Sequence, residues 1–165
     1  MCIEESEKNM MLISKETDYA LRLIRGLSDG KRHTVAMLAC AEKVPRQYAY
    51  KILKKLEGGR IVAITRGADG GYELAQSLSA VTLYDVMETL GDAPGVAACI
   101  DGKNYACPWC ESHDEDCRVQ GHLLAIQHQL ATVLKAHTLR EILFDPAQPV
   151  VLDHKREESK TKEAG

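Results

Sequence analysis

The segment from Val44 to Leu74 leaves this chain few folds to choose from. Pro45 suits the first turn of a helix, where its missing N–H would have no partner in any case. After it, Ala49, Ile52, Leu53 and Leu56 recur at i, i+3, i+4 and i+7, which is one apolar stripe along a helix. Gly58 and Gly59 are placed to close that helix. A short β-type run, Ile61-Val62-Ala63-Ile64, follows, then the glycine-rich stretch TRGADGG and a second extended piece, Tyr72-Glu73-Leu74. Two short strands around a glycine-bearing loop read as a hairpin.

Two more helices precede this unit. Ser14 is a cap for a helix running to about Asp29, with Ala20, Ile24 and Leu27 on one face and Gly30 placed to end it. Thr34 caps a short helix from Val35 to about Ala41. Three helices followed by a hairpin is the order of a winged helix-turn-helix, so the expected fold class is mainly α with one small β-hairpin. Downstream, Thr82 with Asp85 opens a helix to about Leu90, as a variant of the capping box. Residues 91–116 show no periodicity and read as a loop. From Arg118 a long helix carries Val119, Leu123, Ile126, Leu130 and Val133 at spacings of 4, 3, 4 and 3, a seam suited to pairing with a second copy. Thr138 and Glu141 open one further short helix. The expected organisation is a loose extension (1–10), the winged domain (11–76), a linking helix (77–98), a cysteine-rich loop (99–117), a dimerisation helix with its short successor (118–145) and a disordered tail (146–165). The tail is charged and poor in apolar residues.

Charge is divided unevenly between these parts. Residues 11–76 hold 12 Lys and Arg against 7 Asp and Glu, whereas the remainder holds 9 against 17. The basic part is the natural phosphate-facing surface, and the acidic remainder argues against general polyanion binding by the whole chain. No apolar run approaches the roughly 20 residues that span a bilayer. The acidic start, MCIEESEKNMM, lacks the basic and apolar regions of a secretory signal. A cytoplasmic protein without membrane contact is therefore expected.

Off its apolar stripe the Pro45 helix presents Arg46, Gln47, Tyr50, Lys51, Lys54 and Lys55. In a helix-turn-helix the second helix enters the major groove with its N-terminal residues at the base edges. Arg46 suits guanine and Gln47 suits adenine, while Lys51, Lys54 and Lys55 suit phosphates. At the hairpin, Arg66-Gly67 and Gly70-Gly71 flank a tight tip, and an arginine there can enter a narrow minor groove. Tyr72 is read as packing within the hairpin.

The chain resembles the IscR/NsrR-type (Rrf-type) winged-helix regulators of bacteria. The resemblance rests on MLISKETDYALR, VPRQYAYKILKKLEGGRIV, TRGADGGYEL, VTLYDVMETL and HTLREIL, and covers roughly residues 11–145. It implies a sequence-specific transcription regulator, read here as a repressor and not an enzyme, acting as a homodimer on palindromic double-stranded DNA with each hairpin in a minor groove. It also implies that many members hold an iron–sulfur cluster which tunes DNA affinity.

Cys99, Cys107, Cys110 and Cys117 fall within 19 residues. The resemblance implies three cysteine ligands, plus either a His three positions after the last one or a carboxylate near the start of the partner chain's first helix. Here the loop is longer than in those relatives and has a fourth cysteine. Gln120 stands where the His would be, and Asp18 falls at the carboxylate position. From the residues alone, three chemistries stay open. Thiolates suit an iron–sulfur cluster of either the 2Fe-2S or the 4Fe-4S type. They suit zinc in a Cys₄ site equally well, and the Cys107-Pro-Trp-Cys110 pair can form a reversible disulfide. The neighbouring acids Glu111, Asp114, Glu115 and Asp116 disfavour thiolate and speak against dithiol catalysis. The alternative is a cofactor-free or zinc-containing winged-helix interaction protein with a structural cysteine loop. Cys40 is expected to be a small buried residue, and Cys2 and His113 are expected to be incidental.

Overall fold

A computed structural model describes residues 12–100, 107 and 117–146. The extension at 1–10, Cys110, His113 and almost all of the tail lie outside them. The described elements are α1 (Lys15–Gly26), α2 (Val35–Ala41), α3 (Arg46–Gly58), β1 (Val62–Thr65), β2 (Gly71–Leu74), α4 (Leu83–Leu90), α5 (Arg118–Ala136) and α6 (Leu139–Phe144). This is a mainly helical winged-helix fold with one antiparallel hairpin, paired Val62 to Leu74 and Thr65 to Gly71.

Four helix starts are capped by a hydroxyl. Ser14 accepts from the Thr17 amide, Thr34 from Met37, Thr82 from Asp85 and Thr138 from Glu141, and the last two are full capping boxes. Each satisfies an amide that a helix start leaves without a partner. The apolar stripes then meet in one core. Ala20, Leu23, Ile24 and Leu27 of α1 and its end pack with Ala49, Ile52, Leu53 and Leu56 of α3, all fully buried. Val86 and Leu90 of α4 and Leu139 of α6 complete the same cluster.

Helix ends were harder to read from sequence. α1 stops at Gly26 rather than near Asp29, because Leu27 and Ser28 turn back onto the carbonyls of Ile24 and Arg25. Pro45 stands just before α3 as its cap residue. α3 is not closed by a left-handed glycine: Gly59 has φ −80°, and Arg60 takes the left-handed turn at φ +59°. The Arg60 amide donates to Glu57 and the Ile61 amide to Leu56, the paired bonds of a Schellman motif. Gly59 is needed for a different reason, since a Cβ there would come within 2.5 Å of the Thr89 side chain on α4. α2 ends the same way, with Lys43 at φ +55° and the Val44 amide on the Ala39 carbonyl.

Long-range polar ties hold the elements in register. Asp92, just past α4, accepts from the Ser14 hydroxyl and, at 3.0 Å, from the buried Thr17 hydroxyl, binding the end of α4 to the start of α1. Arg25 and Glu42 pair at 2.5 Å between α1 and the end of α2. At the far end of α5, the Leu83 amide donates to the His137 carbonyl and the Leu139 amide to the Val81 carbonyl. Lys135 also lies 4.3 Å from the centre of the Tyr84 ring.

Within one chain, the expected seam on α5 spreads over two faces. Only Leu134 of its 19 residues is buried. Gln120, Leu123, Gln127 and Leu130 are half-buried; Gln127 accepts from the Val96 amide at 3.2 Å and Gln120 donates to the Cys99 carbonyl at 3.2 Å. Val119, Ile126 and Val133, one residue per heptad, are at least half exposed. The five seam residues thus divide between a face holding this chain's own loop and a face turned outward. Two glutamines hid the first face, because they read as polar surface.

One prediction follows from the helix ends. Glycine adopts a left-handed backbone without the Cβ clash that a side chain meets there. Arg60→Gly should raise unfolding stability by about 1 kcal/mol in urea titration. A loss of stability would mean that the Arg60 side chain holds the α3–β1 corner.

Candidate nucleic-acid interface

α3 has two chemically distinct sides. The inner side is the buried stripe. On the other side Arg46, Gln47, Tyr48, Tyr50, Lys51 and Lys54 are all exposed. Arg46 and Gln47 lie in the first turn, directly after Pro45. Lys55 departs from this group, because its ammonium donates to Glu16 at 2.7 Å and to the Leu90 carbonyl at 3.0 Å. That draws it back toward α1 and α4.

Tyr48, off the apolar stripe like Tyr50, was not selected from the sequence. It is 55% exposed and meets Tyr19 of α1 edge to face, with centroids 6.0 Å apart. Lys15 and Arg22 stand 5.7 and 6.0 Å from the Tyr19 ring centre. Two aromatic rings flanked by two cations thus extend the basic surface from α3 onto α1.

The hairpin is pinned along its second strand. His33 and Tyr72 exchange backbone hydrogen bonds of 2.9 and 2.8 Å, and Arg32 pairs with Glu73 at 3.1 Å. His33 Nε2 is 2.9 Å from Asp29, whose carboxyl is held below the usual range first by the Lys31 amide and then by the His33 ring. Tyr72 is buried, as expected, and burial pushes its phenol up. A Cβ at Gly71 would lie 2.9 Å from the His33 carbonyl, so the close approach that fixes the hairpin requires glycine. Gly67 has φ +116°, and a Cβ at Gly70 would strike the Thr65 carbonyl at 2.4 Å. These glycines turn the tip and leave Arg66 exposed.

The cysteine loop meets the long helix at both described ends. Cys117 is the cap residue of α5, its sulfur accepting from the Gln120 amide at 3.4 Å, while the Gln120 side chain holds Cys99 through its carbonyl. Cys99, Cys107 and Cys117 are partly buried, and Cys110 lies outside the described residues. Asp18 pairs with Arg22 at 2.9 Å across one turn of α1. Among the described residues no three His, Cys, Asp or Glu side chains converge to hold a metal ion. Those residues therefore do not by themselves make the donor set of a cluster. Cys40 is exposed on α2, not buried as expected, because the inner face of that short helix is filled by Leu38 and Ala39.

Among the described residues no helix is long and apolar enough to cross a membrane. Residues 13–145 match the family model Rrf2, described as an iron-dependent transcriptional regulator. The chain is 27% identical over 135 residues to Protein aau3 of Rhizobium meliloti, covering 81% of this chain and 85% of that protein. It is 25% identical to a protein of Aquifex aeolicus named as an HTH-type transcriptional regulator, covering 81% and 92%. Among solved structures, CymR, the global cysteine regulator of B. subtilis, superposes with a TM-score of 0.61 at 20% identity, covering 84% of this chain and 100% of that one. IscR of T. potens gives 0.59 at 20% identity, covering 83% and 93%. The architecture is thus shared with regulators whose sequences have diverged widely, and the family is one of transcription regulators rather than enzymes. The chain belongs to the Rrf2 family of transcriptional regulators.

Proposed function

We propose that two copies of this chain bind a palindromic operator as a cytoplasmic repressor, each placing the start of α3 in a major groove and its hairpin in a neighbouring minor groove. The observation that carries this reading is the two-sidedness of α3. Its core stripe is completely buried, and its outward face holds Arg46, Gln47, Tyr50, Lys51 and Lys54, all exposed. Arg46 and Gln47 read base edges, and Lys51 and Lys54 hold phosphates. Arg66 enters the minor groove, where Gly67, Gly70 and Gly71 let the backbone follow. Lys55 contributes positive potential while tied to Glu16. In this assignment residues 11–76 are the reading head, 77–98 the link, 99–117 the sensing loop and 118–145 the dimerisation part.

Dimerisation is supported by the outward stripe Val119, Ile126 and Val133, together with exposed Leu124, Ile142 and Phe144. Two heads joined through α5 must meet half-sites about one helical turn apart. Sensing is supported by the attachment of Cys99 and Cys117 to the start of α5. A change in the thiol or metal state of the loop then acts on the helix that sets the spacing of the heads. Cys99, Cys107, Cys110 and Cys117, with Asp18 of a partner chain, are the ligands proposed for an iron–sulfur cluster, or the cysteines alone for zinc. A bound cluster would supply a thiolate-held bridge sensitive to oxidation.

Three measurements test these parts. Arg46→Ala should cost about 1–3 kcal/mol of operator affinity and relax base choice at one position, read by footprinting and titration. An unchanged footprint removes Arg46 from the reading set. Ile126→Glu should convert the dimer to a folded monomer in sedimentation, with the helical circular dichroism retained; a persisting dimer refutes pairing through this stripe. Anaerobic purification with iron, sulfide and zinc analysis should give brown protein that fades when Cys107 and Cys117 are replaced by Ser. Colourless, metal-free wild-type protein refutes the cluster and leaves thiol chemistry as the sensing route.

A further inference from the structure

A hollow of about 870 Å³ opens between the first turns of α2 and α3. Thr34, Val35 and Ala36 form one side, and Arg46, Gln47, Tyr50 and Lys51 form the other. Although two of these residues are cations, most of the exposed lining is carbon. Val35 packs partly against the core, but Ala36 and Tyr50 are exposed, so the apolar surface that these two add lies outside it. Phosphate binding has no use for it, since phosphates call for donors and charge.

We infer that the apolar part of this open hollow meets a thymine 5-methyl group, so that Val35, Ala36 and Tyr50 act as specificity-determining residues for A·T pairs; the inference rests on the DNA-reading function proposed above. The thymine methyl is the apolar group that the major groove offers a protein, and side chains of this size are what meet it. The surroundings fit the same occupant. Arg46 and Lys51 on the rim complement the charge of the duplex. Gln47, beside them, carries the amide that bonds adenine N7 and the N6 amino group. One base pair is thereby read from both sides, its adenine by hydrogen bonds and its thymine by apolar contact. An RNA duplex would not substitute, because its major groove is too deep and narrow to be read and its uracil lacks the methyl.

The test uses the full chain and a duplex selected by the protein from a random-sequence pool. Each thymine of that duplex is replaced singly by deoxyuridine, which removes the methyl and leaves the pairing intact. Burying one methyl is worth about 0.8 kcal/mol, so affinity should fall about fourfold at one or two thymines of each half-site and stay unchanged elsewhere. In Ala36→Ser and, separately, Val35→Thr, each checked for an unaltered thermal transition, thymine and uracil duplexes should bind more nearly alike at those positions. The inference is overturned if every uracil duplex binds wild-type protein within experimental error while selective binding persists; the DNA-reading function then stands without it. It is also overturned if the thymine preference is the same in both variants as in the wild type. Failure to select any sequence would overturn the inference together with the function beneath it.

Discussion

Four side chains of α3, Ala49, Ile52, Leu53 and Leu56, are fully buried where α1, α2, α4 and β1 converge, and that burial fixes the rotation of the helix about its own axis. Helix geometry ties every side chain to every other, so setting the inner stripe also sets where Arg46, Gln47 and Tyr50 point. No separate device is needed to aim them. The core thus does the positioning of the outward side chains. A Leu-to-Ala change in such a stripe costs about 2–5 kcal/mol, and it would blur the outward face as it weakened the fold.

The two corners on either side of α3 are held in a less usual way. Lys43 and Arg60 both take left-handed backbone that glycine adopts more readily. Each closes the helix before it and sends the following residue, Val44 or Ile61, into the core. The hairpin is then caught from the other side by His33, whose backbone pairs with Tyr72. α3 and the hairpin are therefore braced against the same body at several points and keep a fixed relation to each other.

Much of this was legible in the sequence where the physics is local. Ser14, Thr34, Thr82 and Thr138 could be recognised as caps because a hydroxyl acts on an amide three residues away. The stripes of α1 and α3 could be recognised because helical period alone puts them on one face. The hairpin was legible from its glycines, with strand limits shifted by about one residue. What escaped depends on distance or on exceptions. The tie of Asp92 to Ser14 and Thr17 spans most of the winged domain, and the capture of Lys55 by Glu16 joins different helices. Arg60 escaped because a left-handed turn is expected of glycine, and two glycines stood beside it. Cys40 was misjudged because a seven-residue helix gives too few turns to show which face is buried. The hollow beside Ala36 had no sequence signal, since its two sides come from different helices.

The attachment of α5 has a mechanical consequence. Its C-terminal end is fastened to the winged body by Leu134, the His137 carbonyl and Lys135 over Tyr84, while its N-terminal end carries Cys117. Nineteen residues at 1.5 Å each make an arm of about 28 Å. Turning such an arm about its fastened end by about 5° displaces the cysteine end by about 2.5 Å. Conversely, a shift of a few ångströms at the Cys117 end amounts to a rotation of only a few degrees about the fastened end.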